Sequence, residues 1–235
     1  QDYGVTYLHL VPPILLALAK HPVVDQYDLS SLDAINSGAA PLGEGLASAV
    51  EERRDCIVGQ GYGLTETSPV THHGPNQVRG QCPHASIGPS LPNTETQIVD
   101  VDSGTALGPG ERGEVWIRGP QVMRGYLNRP DATTETLDED GWLHTGDIGY
   151  ADENGYFYIV DRLKELIKYK GFQVAPAELE ALLLTHPQIK DVAVVRSPDP
   201  DAGEVPKAFV VADGALSAED VMSFVAAVVA PHKKI

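Results

Sequence analysis

The sequence is short of positive charge, of cysteine and of long apolar runs, and each shortage excludes something. Against 33 Asp and Glu stand only 17 Lys and Arg, a formal net charge of −16 in 235 residues. Nucleic-acid binders and proteins that lie on anionic lipid need a basic face, so no nucleic-acid partner is expected. No apolar run reaches the roughly 18 residues that a membrane-spanning helix requires. The two cysteines, Cys56 and Cys82, form no CxxC pair, which argues against a disulfide framework and a zinc ribbon. No GxxxxGK[ST] motif occurs, so a Walker-type phosphate loop is excluded. The first residues lack the basic start and small-residue cleavage site of a signal peptide, and the expected compartment is the cytosol.

What is present is ordinary globular material, 42% hydrophobic and 21% charged, enough for one large domain or two smaller ones. The chain opens at Gln1 and closes on Pro231-His232-Lys233-Lys234-Ile235 without a natural start or stop, and is expected to be a fragment. Its first stretch alternates strands and helices. Strands are predicted at 5–10, 32–36 and 56–58, a short helix from Pro12 to Lys20 and a longer one at 44–54, a βαβ arrangement. Both later strands run into small residues, Ser37 to Pro41 and Gly59 to Gly63. In open α/β sheets, ligands sit beyond such carboxyl ends.

From 87 to 161 the chain turns Gly- and Pro-rich, with strands predicted at 95–101, 113–118 and 156–160 and a hairpin turn at Asn154-Gly155. That spacing reads as a small, mostly antiparallel β unit. A smaller α+β unit is expected to begin within 161–164. It has a helix from Pro176 carrying Leu179, Leu182 and Leu183 on one face and strands at 191–195 and 208–212. A last helix opens on the capping-box-like Ser217-Ala218-Glu219-Asp220.

Three segments carry chemistry. In Gly59-Gln60-Gly61-Tyr62-Gly63-Leu64-Thr65-Glu66-Thr67, alternate glycines following a strand allow close backbone approach and present N–H groups to an anion. Thr65 offers a hydroxyl to a phosphate and Glu66 a carboxylate to Mg²⁺; glycines alone would equally make a tight structural turn. In Gly141-Trp142-Leu143-His144-Thr145-Gly146-Asp147, Asp147 at the start of a strand could accept from both hydroxyls of a ribose, although a lone loop Asp is more often a turn former. His144 has no partner at metal or triad spacing and is given no mechanistic role. The third segment places Arg162, Lys164, Lys168 and Lys170 within nine positions of an acidic chain. Charge runs are usually solvated, but this one falls at a unit boundary, ahead of Gly171, and suits a polyanion such as ATP or coenzyme A.

Taken together, residues 60–66, 113–119, 141–147 and 161–173 resemble four successive core motifs of the adenylate-forming superfamily, which includes acyl-CoA synthetases, firefly luciferase and peptide-synthetase adenylation domains. Residues 164–180, KELIKYKGFQVAPAELE, are nearly the signature of its 4-coumarate–CoA ligase group. The resemblance runs from Val11 to beyond Pro206. It implies an α/β large domain, of which residues 1–163 are the C-terminal part, followed by an incomplete small α+β domain at 164–235.

Residue roles follow from the matching positions. Tyr62 would stack on adenine, with Gly38, Ala39, Gln60, Gly61 and Gly63 around the nucleotide. Thr65 would contact the α-phosphate, Glu66 would hold Mg²⁺, and Asp147 and Arg162 would grip the ribose. Lys164 would be the hinge of the small domain, Lys168 the lysine of the thioester-forming conformation, and Gly171 the border of the pantetheine tunnel. Gln173 would meet the nucleotide site in one conformation. Thr65, Glu66 and Lys168 thus receive the catalytic assignments.

The implied reaction is ATP-dependent activation of a carboxylic acid to acyl-AMP and pyrophosphate, then transfer to coenzyme A. Ala39, Ala40, Gly61, Pro69 and Val70 would wall the acid pocket, favouring an aryl or phenylpropenoid acid such as 4-coumarate, with a medium- or long-chain fatty acid second. Loading of a carrier protein, a luciferase-like oxygenase and a non-catalytic AMP-binding piece remain alternatives. The superfamily's upstream phosphate loop and its downstream Ser-Gly-Lys lysine are absent, and neither Lys233 nor Lys234 takes that role. The 235-residue piece alone is therefore expected to adenylate little or not at all. Oligomeric state leaves no mark on the sequence.

Overall fold

In a computed structural model, residues 2–75 and 79–235 are described. The chain divides into two compact units, Gln1–Ile159 and Val160–Ile235.

The first unit holds two sheets. One is built as β1 (Tyr7–Leu10), α1 (Pro12–Lys20), β2 (Ala34–Ser37), α2 (Glu44–Arg54), β3 (Ile57–Gly63) and β4 (Val70–His73), with strand order β1-β2-β3-β4. The first three strands run parallel, as two βαβ crossovers demand, and β4 returns antiparallel to β3. Leu15 of α1, Ala47 and Val50 of α2, Ile35 of β2 and Val58 of β3 form the buried core. The helices begin where the sequence says they should: Pro12 and Pro13 fit the first turn of α1, and Asp55, left-handed at φ 49°, ends α2.

Strand β3 departs from expectation. It does not stop at Val58 but continues through the glycines to Gly63, pairing with β2 as far as Ser37↔Gln60 and with β4 at Gly61↔His73. The segment read as a loop is therefore strand. Glycine serves here because neighbouring backbone crowds it: a Cβ on Gly63 would lie 1.8 Å from the Pro69 carbonyl oxygen.

The second sheet is β5 (Glu95–Val99), β6 (Gly113–Arg118), β7 (Leu143–Ala151) and β8 (Phe157–Arg162), with antiparallel pairing from β5 through β7. Sequence patterning puts a strand entry at Asp147, but β7 already begins at Leu143, and the short helix α3 (Pro130–Thr136) is not foreseen. Asp152 and Gly155 close the turn into β8, with Gly155 at φ 80°. Ile98, Val115 and Ile117 are buried between strands, and Tyr62 and Leu64 pack onto them.

The second unit is a four-stranded sheet ordered β10-β9-β12-β11, from β9 (Ile167–Tyr169), β10 (Phe172–Val174), β11 (Ile189–Asp199) and β12 (Gly203–Ala212). Helices α4 (Pro176–Leu184) and α5 (Ala218–Ala226) supply Leu179, Leu183, Val221 and Val225 to its core. Ser217 caps α5 in a reciprocal box with Asp220. The β11–β12 hairpin is longer than expected, extending to Asp199↔Gly203.

Candidate active site

Within the first unit, residues far apart in sequence converge at the carboxyl ends of β2 and β3. Gly38, whose N–H donates to Leu10, lies beside Gly61: a Cβ on Gly38 would sit 3.7 Å from the Gly61 carbonyl oxygen. Ala39 and Ala40 are exposed just beyond β2, Ala39 in the left-handed region at φ 69°. Pro69 and Val70 are exposed at the start of β4, with Val70 opposite Gly63. The small residues read as pocket walls thus share one end of the sheet.

Tyr62 and Asp147 are brought together directly. The phenol of Tyr62 donates to Oδ2 of Asp147 at 2.5 Å across 85 positions of sequence. Asp147, expected at the start of a strand, lies in the middle of β7 and is buried. An irregularity aims it: Gly146 is left-handed at φ 72° and its N–H donates to Glu114 Oε1, while the Thr145 hydroxyl reaches the Val115 carbonyl. The pairing shifts register between Glu114 and Trp116 at this point. Beneath Tyr62 lies His72, fully buried, with Nδ1 beside the Thr71 hydroxyl and Nε2 within 3.2 Å of the hydroxyls of Ser90 and Thr96. Burial pushes its pKa down to about 3, so it is neutral at physiological pH.

Thr65 and Glu66 form a single 3-10 turn with Thr67, closed by the buried Thr67 hydroxyl, which accepts from Leu64 N–H and donates to the Pro69 carbonyl. Thr65 is exposed and Glu66 half-buried. Oε1 of Glu66 accepts from the phenol of Tyr126 at 2.6 Å, and its backbone carbonyl accepts from Met123 N–H at 2.7 Å. The carboxylate holds the Tyr126 phenol protonated, raising its pKa. Among the described residues no group of three or more His, Cys, Asp or Glu could hold a metal. A single carboxylate is compatible with Mg²⁺, which takes one or two carboxylates and completes its shell with water and phosphate oxygens.

Gln60 faces elsewhere. Its buried amide accepts from Leu42 N–H and donates to the His84 carbonyl, tying β3 to the chain on either side, so the side chain is spent on the scaffold. His144 stacks on Trp116 at 3.8 Å, with Asp138 3.5 Å from Nε2, a structural arrangement.

The basic segment of the second unit is a hairpin. Lys168 and Gln173 are directly opposed across β9 and β10, both exposed, and Lys170 and Gly171 make the two-residue turn at φ 48° and 85°. Lys164 is exposed, its carbonyl taken by Arg196, and Arg162 is exposed beside Glu165. Asp161, buried, accepts from the N–H groups of Arg162 and Ala177 and so holds the start of α4; desolvation raises its pKa. Lys233 pairs with Glu178. Sequence reasoning missed Tyr126 and His72. The Arg124-Gly125-Tyr126 run precedes a Pro-initiated helix, the one local signal available, but neither residue declares its partner in sequence.

Comparison with known proteins agrees with this geometry. The family model described as AMP-binding enzyme matches residues 1–127, and that of the AMP-binding enzyme C-terminal domain matches residues 178–235. The chain is 53% identical over 240 residues to 4-coumarate–CoA ligase 1 of Arabidopsis thaliana, covering 100% of this chain and 43% of that protein. It is 50% identical over 238 residues to the 4-coumarate–CoA ligase of Pinus taeda, covering 44% of that protein. The crystal structure of ATP-bound MatB from Rhodopseudomonas palustris superposes with a TM-score of 0.90 at 30% identity, over 99% of this chain and 46% of that one. The chain therefore spans less than half the length of these relatives. A family match covering more than half of the chain, joined to a fold shared with an ATP-bound structure, decides the family: the chain belongs to the AMP-binding enzymes of the adenylate-forming superfamily.

Proposed function

We propose that this chain is the rear nucleotide-binding part and the small-unit part of an acid–thiol ligase. The longer protein would activate a carboxylic acid with ATP to acyl-AMP and pyrophosphate, then pass the acyl group to coenzyme A. The observation that carries this reading is the Tyr62–Asp147 hydrogen bond, which joins the two nucleotide motifs in one place, with Glu66 four residues beyond Tyr62. Attack of a carboxylate on the α-phosphorus brings negative charge onto negative charge. Mg²⁺, when bound at Glu66, would supply the neutralising charge. The Thr65 hydroxyl would orient the α-phosphate, Tyr62 would stack on adenine, and Asp147 would accept from the ribose hydroxyls. Gly38, Ala39, Ala40, Gly61, Pro69 and Val70 would leave a small, smooth wall for a planar acid, hence an aryl or phenylpropenoid substrate such as 4-coumarate.

In the second unit, exposed Lys168 would serve the later half-reaction, with Gly171 leaving room for a pantetheine arm, Lys164 acting as the pivot and exposed Gln173 meeting the nucleotide in one conformation. Arg162 would contact the ribose. Expression of the 235-residue chain beside the complete ligase tests the assignment. The complete protein should release pyrophosphate with ATP and 4-coumarate and form the thioester with coenzyme A, while the shorter chain should bind AMP and turn over little. No AMP binding by the chain, or pyrophosphate release matching the complete protein, refutes the corresponding half of the proposal.

A further inference from the structure

The Glu66 carboxylate is not left to solvent. One loop holds both ends of the residue: Met123 N–H donates to the Glu66 backbone carbonyl at 2.7 Å, and the Tyr126 hydroxyl donates to the carboxylate Oε1 at 2.6 Å. That loop follows β6 and is itself pinned. Tyr126 N–H donates to the Thr133 hydroxyl at 2.8 Å, that hydroxyl reaches the Arg129 carbonyl at 2.9 Å, and Arg129 N–H returns to the Tyr126 carbonyl at 3.2 Å. Gly125 makes the close approach possible: at φ 144° a Cβ there would lie 2.7 Å from the Thr133 methyl.

We propose that Tyr126 is a positioning residue for the metal-binding carboxylate: its hydroxyl, set by the Gly125–Thr133 clamp, occupies Oε1 of Glu66 and presents the side chain as a one-oxygen ligand to a divalent cation. The proposal rests on the nucleotide and Mg²⁺ reading given above. A free Glu must lose several rotatable bonds to ligate a cation, and a carboxylate already ordered by a donor has lost that freedom beforehand. Mg²⁺ takes an oxygen from each carboxylate in octahedral geometry, so a phenol on the other oxygen costs the cation no ligand and disfavours a bidentate grip.

Calorimetric titration of AMP into the full 235-residue chain at graded Mg²⁺ concentrations tests this. Wild type, Tyr126→Phe, Glu66→Gln and the double variant are compared. Tyr126→Phe should raise the half-saturating Mg²⁺ concentration roughly tenfold, the low end for loss of an outer ligand partner. At saturating Mg²⁺ it should bind AMP as wild type does. Thr133→Val should shift Mg²⁺ dependence in the same direction. In Glu66→Gln the Mg²⁺ dependence should vanish, and adding Tyr126→Phe should change nothing further. An unchanged half-saturating Mg²⁺ in Tyr126→Phe, or AMP affinity lost equally at every Mg²⁺ concentration, overturns the positioning role alone. A wild-type chain whose AMP binding ignores Mg²⁺ overturns the metal reading of Glu66, and this inference with it.

Discussion

Replacing Asp147 by Asn tests the proposed nucleotide site most directly, because the change is nearly isosteric and exchanges one charged acceptor oxygen for a neutral amide donor. Asp147 is buried in β7 and already accepts from Tyr62 at 2.5 Å, so its geometry is set before any ligand arrives. A carboxylate accepting from ribose hydroxyls makes charge-assisted hydrogen bonds worth about 1.5–3 kcal/mol each. Asn retains one acceptor oxygen, so the expected loss is about one such bond, roughly a 10- to 150-fold weaker affinity for AMP at about 1.4 kcal/mol per tenfold. Tyr62→Phe separates the two members of the pair. The ring that would stack on adenine remains, so AMP affinity should stay within about threefold, whereas the lost phenol donor should lower stability by about 1–2 kcal/mol. For a unit of this size that is a fall in melting temperature of about 2–8 °C. Calorimetry with AMP and thermal melts of the three proteins supply the numbers. Wild-type AMP affinity in Asp147→Asn, or a larger loss in Tyr62→Phe than in Asp147→Asn, would refute the ribose assignment.

Gly63→Ala should be destabilising by about 3 kcal/mol or more, since the new methyl would lie 1.8 Å from the Pro69 carbonyl oxygen, a backbone atom that cannot swing away; a urea midpoint unchanged from wild type contradicts it. His72 predicts an acid-sensitive first unit. Its folded pKa of about 3 lies below the unfolded value of 6.5, so the unfolded chain binds the extra proton and stability falls as pH drops below 6.5. The loss should reach about 2 kcal/mol at pH 5, and His72→Asn should flatten melting temperature between pH 5 and 7. In the longer protein proposed above as an acid–thiol ligase, Lys168→Ala should leave pyrophosphate release nearly intact and slow thioester formation about tenfold or more; equal loss of both steps removes Lys168 from the second half-reaction.

Much of the scaffold was legible because its signals are local. Helix α2 begins and ends where the sequence places it, at Glu44 and Arg54, and the Ser217–Asp220 box starts α5 as its spacing demands. The antiparallel middle sheet and the parallel βαβ start follow from strand spacing. Illegible were the places where the backbone obeys a distant neighbour. Glycines 59, 61 and 63 read as a loop, yet pairing with β2 and β4 holds them as strand. Asp147 reads as the first residue of a strand, yet β7 starts four residues earlier and carries it into the interior. The basic run reads as a segment suited to a polyanion, but its folding into a type I′-like hairpin rests on two successive left-handed residues, one of them Lys170.

By itself, then, the sequence determined the family, the order of elements and the chemical types available: a Tyr, a Thr, a Glu and an Asp in motifs of fixed internal spacing, and a basic segment in an acidic chain. Only the tertiary structure decided which of these meet. Tyr62 finds Asp147 across 85 positions and Glu66 finds Tyr126 across 60, while Gln60, from the same motif, turns inward to the scaffold. Local propensity is set by near neighbours and can be read along the chain. Which donor reaches which carboxylate is set by sheet register and by single left-handed glycines, and those are fixed only when the whole unit packs.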